Sequence, residues 1–201
     1  GHRATLTLDP TLQQLAEKLL DEGRAPRGAI VAMAPDGRIL ALAGRRTDSH
    51  EGGRDGTSDP SLATSPWAPA ASVFKLITAS ALLEAGVGAD DKVCFHGGIR
   101  SVLESNLRDS KRDSRCETLG FGVAHSNNAI LGKLAFQNLQ PKTLASTAAK
   151  FGWSSPISEL AGKVGAIEVP PAHDLDFAKV AAGFQADTGG AKLSVIGGAV
   201  V

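Results

Sequence analysis

Apolar and polar positions near the start of the chain predict strands on either side of a single helix. Asp9 and Pro10 supply a helix cap and a first-turn proline for that helix. Further on, Pro35-Asp36-Gly37 joins two apolar runs and is typical of a tight turn between antiparallel strands. The predicted elements are a strand, a helix and the two strands of a hairpin, at 5–8, 11–20, 28–34 and 38–43.

Helical periodicity dominates from residue 72 onward. The first of these helices is nearly all apolar except for Lys75 and Glu84, as expected of a helix that is buried on most sides. Because an unpaired lysine is costly to bury, Lys75 is expected to have a partner or a function. The predicted helices lie at 72–85, 119–136, 141–151, 176–184 and 193–201.

Polar stretches separate these elements. Residues 44–66 contain many glycines and charged residues and few apolar ones, so they are predicted to form an exposed, flexible loop. Residues 90–117 are polar and are predicted to be irregular. Within them, the charged segment 108–115 is interpreted as a solvated loop, with contact to a partner as the alternative.

Length and charge limit the possible classes of protein. The 201 residues suffice for a full hydrophobic core, and one domain over 1–201 is predicted. The 21 basic and 21 acidic residues balance without forming a basic stripe, which argues against a nucleic-acid partner. No apolar run is long enough to span a membrane. Residues 1–4 are interpreted as a tag remnant and lead-in, so an anchor in the parent protein is left open.

Two cysteines, Cys94 and Cys116, stand on either side of a polar segment. Their spacing is not that of a zinc site, and no metal is expected. In an oxidising compartment the two thiols could form a disulfide that closes a loop and stabilises the fold by about 3 kcal/mol. Two unrelated free thiols are the alternative.

Ser72 and Lys75 lie three residues apart at the start of the apolar helix, so their side chains are expected on one face, within reach of each other. A serine beside an amine is the arrangement of a nucleophile with its general base. With 16 serines and 10 lysines in the chain, about one such pair is expected by chance. A helix start with a serine cap would have the same spacing, so the pair needs support from its context.

A second short motif, Ser126-x-Asn128, follows Ser72 by 54 residues and lies at or inside a predicted helix. It is weak alone, but its order after Ser72 and its setting strengthen both motifs. His125 adjoins it. Without a matching aspartate pattern, His125 is interpreted as a surface or packing histidine rather than a catalytic one.

Together these residues resemble the transpeptidase domain of penicillin-binding proteins, the class B type in particular, whose motifs are those of serine-acylating enzymes. The resemblance implies an α+β fold in which an antiparallel sheet is flanked by helices on both faces. It extends over the lead-in, the first hairpin, the nucleophile helix and a Phe-Gly-aromatic sequence, at 5–15, 28–43, 69–84 and 151–153.

The resemblance also implies a role for each motif residue. Ser72 would attack the penultimate D-Ala carbonyl of a peptidoglycan stem peptide, and Lys75 would be its base. Ser126 would relay a proton to the leaving nitrogen. Asn128 would hold Lys75 and bind the substrate's amide. An acceptor amine would then take the acyl group, and no cofactor is required.

Two departures from the family matter. Ala70-Ala71-Ser72 stands where the family usually has Pro-Gly-Ser. The third motif, Lys-Thr-Gly or Lys-Ser-Gly, is not found, and the chain is expected to end just before the strand that carries it. A non-catalytic relative is the alternative.

β-Lactamases fit less well, because the chain has no tyrosine for a Tyr-x-Asn base and no Glu-x-x-Leu-Asn sequence.

The sequence therefore predicts, through this resemblance, a D,D-transpeptidase that is acylated by stem peptides and by β-lactams and cross-links the cell wall. Whether this fragment turns over by itself is left open. The alternative is a catalytically inactive scaffold or a β-lactam sensor of the same fold. Cell-wall assembly proteins are further candidate partners. The expected location is periplasmic or on the extracytoplasmic face of the inner membrane, reached through an anchor outside this chain.

Overall fold

The structure is a computed structural model and describes residues 4–47, 56–65, 67, 70–155, 167 and 169–184. The described residues form two compact units, one up to Trp67 and the other from Ala70 onward. Two sequence predictions lie outside them, namely most of the tag remnant and lead-in at 1–4 and all of the helix at 193–201.

The first unit contains one helix and a small antiparallel sheet with the strand order β1-β2-β3. Asp9 caps the helix by accepting hydrogen bonds from the main-chain N–H groups of Thr11 and Leu12, as its sequence predicts. The buried centre of the first unit consists of Ala16, Ala41 and Ala43. The elements are α1 (Pro10–Gly23), β1 (Arg27–Met33), β2 (Ile39–Arg46) and β3 (Thr57–Ser58).

The predicted hairpin is confirmed, with Ile30 opposite Ala43 in the register of β1 and β2. The predicted strand at 5–8 is wrong, because these residues make no ladder in the structure. They are joined to β2 by single hydrogen bonds instead, for example from the Thr7 hydroxyl to the Ile39 carbonyl oxygen at 2.6 Å.

The exposed loop predicted at 44–66 is shorter than expected, because β2 continues into it. Gly44 and Arg45 are buried in that strand. Arg45 is accommodated there because its guanidinium donates a hydrogen bond to the Asp21 carboxylate at 2.8 Å. The loop also contains β3 and a 3-10 turn at Pro60–Ala63.

The second unit is mainly helical and is organised around one central helix. Eight consecutive residues of that helix, from Asn128 to Ala135, are buried. It packs against α2, α3, α6 and β4. The elements are α2 (Phe74–Glu84), β4 (Lys92–Phe95), β5 (Arg115–Thr118), α3 (Leu119–Ala124), α4 (Asn128–Asn138), α5 (Pro141–Lys150) and α6 (Leu175–Ala181).

Residues 90–117 are less irregular than their sequence predicts. They contain β4 and most of β5, which pair antiparallel with Cys94 opposite Cys116. The two cysteines form a disulfide across this pair. Strands of only four residues with mixed burial leave too little alternation to be read from a sequence.

The helix predicted over 119–136 is divided into α3 and α4 by a turn at residues 125–127. The helices predicted at 72–85, 141–151 and 176–184 are confirmed as α2, α5 and α6, and the fold is α+β with small antiparallel sheets, as expected. Within the described ranges, no helix has both the length and the apolar character needed to cross a membrane.

Candidate active site

Ser72 lies in a 3-10 turn, Ala71–Val73, that leads directly into α2. No side-chain hydrogen bond caps this end of the helix, so the serine does not act as a helix cap. Ala71 has φ 49°, in the left-handed region that favours glycine. The turn leaves Ser72 exposed, whereas Phe74 and Lys75 after it are buried.

Lys75 is only 3% exposed, and its Nζ reaches three oxygen atoms. It donates hydrogen bonds to Ser72 Oγ at 2.9 Å, to Ser126 Oγ at 2.9 Å and to the Ser126 carbonyl oxygen at 3.2 Å. No carboxylate pairs with it in the part of the chain that the structure describes. Burial therefore lowers the pKa of Lys75 from its ordinary 10.5, because water stabilises the charged form.

Ser126 lies in the turn between α3 and α4 and has φ 52°, again in the left-handed region. The turn is fixed on both sides. The main-chain N–H of Ser126 donates to the Val123 carbonyl oxygen at 3.1 Å. The next residue, Asn127, is buried and caps α4 by accepting a hydrogen bond from the Ile130 N–H at 3.1 Å. A strained residue held this firmly is typical of a functional position.

The hydroxyls of the two serines complete a triangle with the lysine. Ser126 Oγ donates a hydrogen bond to Ser72 Oγ at 2.9 Å, so each pair among Ser72 Oγ, Lys75 Nζ and Ser126 Oγ is 2.9 Å apart. A proton can move between any two of these atoms without side-chain movement. The structure thus brings together three of the four predicted site residues.

Asn128, the fourth, does not make the contact with Lys75 that was predicted for it. Its side chain makes no hydrogen bond to Lys75 among the described residues, and Lys75 contacts the Ser126 carbonyl oxygen instead. Asn128 Oδ1 is buried and has no hydrogen-bond partner among the described residues. Since buried polar atoms are rarely unpaired, this oxygen makes Asn128 a candidate ligand-binding residue.

The turn that carries Ser72 is supported by α6. Gly183 follows that helix, and a β-carbon there would collide with the Ala71 carbonyl group. Thr78, on α2, donates a hydrogen bond to the Ala181 carbonyl oxygen at 2.7 Å. The sequence gives no sign of this contact, because the two segments are 103 residues apart along the chain.

A cleft of about 550 Å³ opens in front of the two serines and is bordered by Asn128. Its wall includes the exposed side chains of Arg100 and His125 and the guanidinium of Arg115. The His125 ring stacks on Phe121 at a centroid distance of 3.9 Å, and the Arg115 guanidinium lies 5.4 Å from the same ring. His125 is thus a surface residue that packs, as predicted, but it also faces the site.

A buried ionic network lies behind β4, and the sequence did not predict it. Lys133 is fully buried, and its Nζ contacts Asp113 Oδ2 at 2.8 Å and Asp109 Oδ1 at 3.1 Å. It also donates a hydrogen bond to the Cys94 carbonyl oxygen at 2.6 Å. His96 Nδ1 lies 2.6 Å from Asp113 Oδ1. The interpretation of 108–115 as a solvated loop is therefore wrong at Asp113.

The segment 190–194, in which the third motif was sought, lies outside the described residues. No cluster of three or more His, Cys, Asp or Glu side chains suited to a metal ion occurs within the described ranges.

Comparison with known families gives one match. The profile described as "Penicillin binding protein transpeptidase domain" matches residues 28–189, which is most of the chain. No curated protein matches the sequence.

Solved structures of such proteins have the same fold. Penicillin-binding protein A from M. tuberculosis, solved as an imipenem acyl-enzyme complex, is 21% identical with a TM-score of 0.67, over 89% of this chain and 47% of that one. Penicillin-binding protein 2B from Streptococcus pneumoniae is 20% identical with a TM-score of 0.66, over 89% and 34%.

The D,D-transpeptidase domain of a peptidoglycan glycosyltransferase from Eggerthella lenta is 25% identical with a TM-score of 0.66, over 94% of this chain and 49% of that one. The chain thus spans half or less of each of these three solved chains.

Proposed function

This chain belongs to the penicillin-binding protein transpeptidase domain family, and we propose that it is a serine D,D-transpeptidase whose nucleophile is Ser72. The observation that carries the proposal is the triangle of Ser72 Oγ, Lys75 Nζ and Ser126 Oγ, with 2.9 Å between each pair. A hydroxyl nucleophile needs a base within hydrogen-bond distance, and a buried lysine whose pKa is lowered can be neutral enough to serve.

Acylation then proceeds in balanced steps. Ser72 Oγ attacks the carbonyl carbon of the penultimate D-Ala while its proton passes to the neutral amine of Lys75. Collapse of the tetrahedral intermediate breaks the bond to the terminal D-Ala. The Ser126 hydroxyl donates a proton to the leaving nitrogen and is reprotonated from Lys75. The product is an ester on Ser72, and Lys75 is again neutral.

Transpeptidation reverses these transfers. The acceptor amine of a second stem peptide attacks the ester carbonyl and loses a proton through Ser126 to Lys75, and Lys75 returns a proton to the departing Ser72 oxygen. A β-lactam acylates Ser72 by the first route, but its leaving nitrogen stays attached through the ring. We propose stem peptides as the substrates and β-lactams as inhibitors of this site.

Asn128 is proposed to position the acyl donor. Its buried Oδ1, which has no hydrogen-bond partner among the described residues, would accept a hydrogen bond from the amide N–H of the substrate. The main-chain N–H of Ser72 is proposed as one donor to the oxyanion that forms during attack. Each such donor contributes a factor on the order of 10² in rate.

An extracytoplasmic location is part of this proposal, with the membrane reached only through an anchor in the parent protein. The Cys94–Cys116 disulfide supports it, because disulfides persist mainly in oxidising compartments. Peptidoglycan and its assembly proteins are found on that side of the membrane.

Intact-mass analysis after incubation with benzylpenicillin tests the proposal on the full-length protein. We expect the mass to rise by that of one whole penicillin, and we expect Ser72→Ala to abolish the adduct. Ser80→Ala is the matched control, because Ser80 lies on the same helix and its hydroxyl donates a hydrogen bond to the Leu76 carbonyl oxygen. A full-length protein without a Ser72-dependent adduct would overturn the proposal.

Release of D-alanine from a peptide ending in D-Ala-D-Ala separates an enzyme from a sensor. A transpeptidase forms the adduct and also transfers the peptide to an added amine. A protein that forms the adduct without any transfer is instead the β-lactam sensor that the sequence left as an alternative. A scaffold would do neither.

A further inference from the structure

The cleft wall beside the nucleophile carries positive charge that the proposed reaction does not use. Arg100 and Arg115 both line the cleft, and no carboxylate is among the described residues that border it. Two permanent cations without an acid in the cleft favour a ligand with negative charge. This inference rests on the proposed function, because it concerns the acyl donor of the same site.

Arg100 is held in place by its main chain. It is the third residue of a turn from Gly98 to Ser101, which is closed by a hydrogen bond from the Ser101 N–H to the Gly98 carbonyl oxygen at 3.2 Å. Gly98 has φ 67°, a value that glycine adopts readily. The neighbouring Ile99 carbonyl oxygen accepts a hydrogen bond from the Asn128 N–H at 3.0 Å. The turn is therefore tied directly to the second motif.

The side chain of Arg100 is exposed and takes part in no ion pair within the described ranges. Its charge is thus available to a ligand. Arg115 stands in a more rigid setting, because its guanidinium lies 5.4 Å from the centre of the Phe121 ring and 6.0 Å from that of Phe95. Both Arg115 Nε and Nη2 donate to Glu117 Oε1 at 3.2 Å, which offsets part of its charge.

The chemistry of these groups selects a carboxylate. A guanidinium binds a carboxylate through two parallel hydrogen bonds, a geometry that an ammonium cannot provide. The position of Arg100 indicates which part of the acyl donor carries the carboxylate. Asn128 would hold the donor's amide, and the main-chain N–H of Asn128 binds the turn that contains Arg100. A group attached next to that amide would therefore lie beside this turn.

We propose that Arg100, supported by Arg115, forms a carboxylate-binding subsite that makes the protein prefer acyl donors with a carboxylate on the side chain adjoining their amide. In an antibiotic this is a carboxylate on the acylamino substituent. In a peptide it is a carboxylate on the residue before D-Ala-D-Ala. The subsite sets specificity and does not take part in bond making or breaking.

Benzylpenicillin and carbenicillin provide a matched pair for the test, because carbenicillin differs only by a carboxylate next to the amide. Second-order acylation rate constants are measured for both with the full-length protein. We expect Arg100→Gln to lower the ratio of the carbenicillin to the benzylpenicillin constant about tenfold. Arg100→Lys should retain part of the ratio, because it keeps the charge but loses the paired geometry.

Arg112→Gln is the control for net charge, because Arg112 is exposed in the same loop region and does not border the cleft. We expect it to leave the ratio within twofold of the wild type. An unchanged ratio in Arg100→Gln, or an equal loss in Arg112→Gln, would overturn the subsite.

A binding measurement keeps the subsite testable if acylation fails. On a Ser72→Ala background, peptides with glutamate or glutamine before D-Ala-D-Ala are titrated and observed by NMR. We expect the glutamate peptide to bind more tightly and Arg100→Gln to remove the difference. If the Ser72→Ala variant shows this difference but the wild type is not acylated by penicillin, the subsite is retained and the transpeptidase proposal is overturned. Equal binding of the two peptides to the Ser72→Ala protein would reject a peptide carboxylate as its ligand.

Discussion

Gly183 lies directly against the carbonyl group of Ala71, in the turn that presents Ser72, and leaves no room for a β-carbon between them. The obstacle is main chain rather than the end of a flexible side chain, so it cannot move aside cheaply. Gly183 also has φ 91°, which only glycine adopts readily. The segment after α6 thus determines where the turn that contains Ser72 can lie.

Replacing Gly183 with alanine should therefore displace Ser72 and slow acylation by benzylpenicillin at least tenfold, since small shifts of a reacting atom are costly. Gly86→Ala is the matched control, because Gly86 has φ 93° and open space around it. Both variants should lose about 1 kcal/mol of unfolding free energy from backbone strain, and Gly183→Ala should lose more because its β-carbon meets the Ala71 carbonyl group. Equal acylation rates in the two would show that the Gly183 contact does not position Ser72.

Ala71→Gly should raise the stability of the fold, the opposite of the effect expected for Gly183→Ala. The φ of 49° at Ala71 costs alanine about 1 kcal/mol that glycine does not incur, and part of this gain is lost to the greater freedom of glycine in the unfolded chain. We expect the free energy of unfolding in urea to rise by about 0.5 kcal/mol, with acylation within threefold of the wild type. A loss of stability would mean that the left-handed backbone at Ala71 is not a source of strain.

Acylation should rise with pH because Lys75 must be neutral to accept the Ser72 proton. Burial lowers the pKa of Lys75 below 10.5, so the neutral fraction grows at lower pH than it does for a lysine in water. Stopped-flow acylation rates with a chromogenic cephalosporin should therefore increase as pH rises and level off below pH 10.5. Lys75→Met should reduce the rate by at least about 10² and remove this dependence. A rate that is flat with pH in the wild type would rule out Lys75 as the base.

Asp113→Asn should destabilise the second unit by about 3 kcal/mol, because it leaves Lys133 buried with only the exposed Asp109 as an anionic partner. Asp109→Asn is the control and should cost clearly less unfolding free energy, since the Asp109 side chain is 87% exposed. Urea unfolding of both variants measures the difference. Similar losses of unfolding free energy in the two variants would show that Asp113 does not stabilise the fold more than Asp109 does.

The same network predicts a response to acid. Burial acts to raise the pKa of Asp113, but hydrogen bonds from Lys133 and His96 outweigh it and hold the pKa at about 2, below the ordinary 3.8. A carboxyl whose pKa is lower in the folded than in the unfolded chain stabilises the fold at pH values above its unfolded pKa. This contribution is lost as the pH falls toward the folded pKa. The wild type should lose stability between about pH 4 and pH 2, and Asp113→Asn should show a smaller change over that range.

The sequence predicted the pairing of Ser72 with Lys75 because residues three apart on a helix share a face. It predicted Ser126 only through a family resemblance, since nothing local indicates that two segments 54 residues apart will meet. The position of Asn128 relative to Lys75 was not predictable. It depends on the left-handed turn at Ser126, because Lys75 Nζ contacts the Ser126 carbonyl oxygen in this turn instead of Asn128.

Local patterns also predicted α1 and the first hairpin, because a cap, a turn and an alternating run are all encoded within a few residues. They failed where long-range contacts decide. Asp113 looks solvated by its neighbours in sequence, and only its meeting with Lys133, 20 residues later, buries it. A lysine within the apolar stretch of α4 is the one signal that could have indicated a buried acidic partner.

Because the triangle of Ser72, Lys75 and Ser126 joins α2 to the turn before α4, it forms only once these distant segments have docked. A penicillin that acylates Ser72 would therefore mark folded molecules and ignore unfolded ones. Added at successive times during refolding, it would record when the two segments meet, so that the same antibiotic could serve as a clock for assembly of the domain.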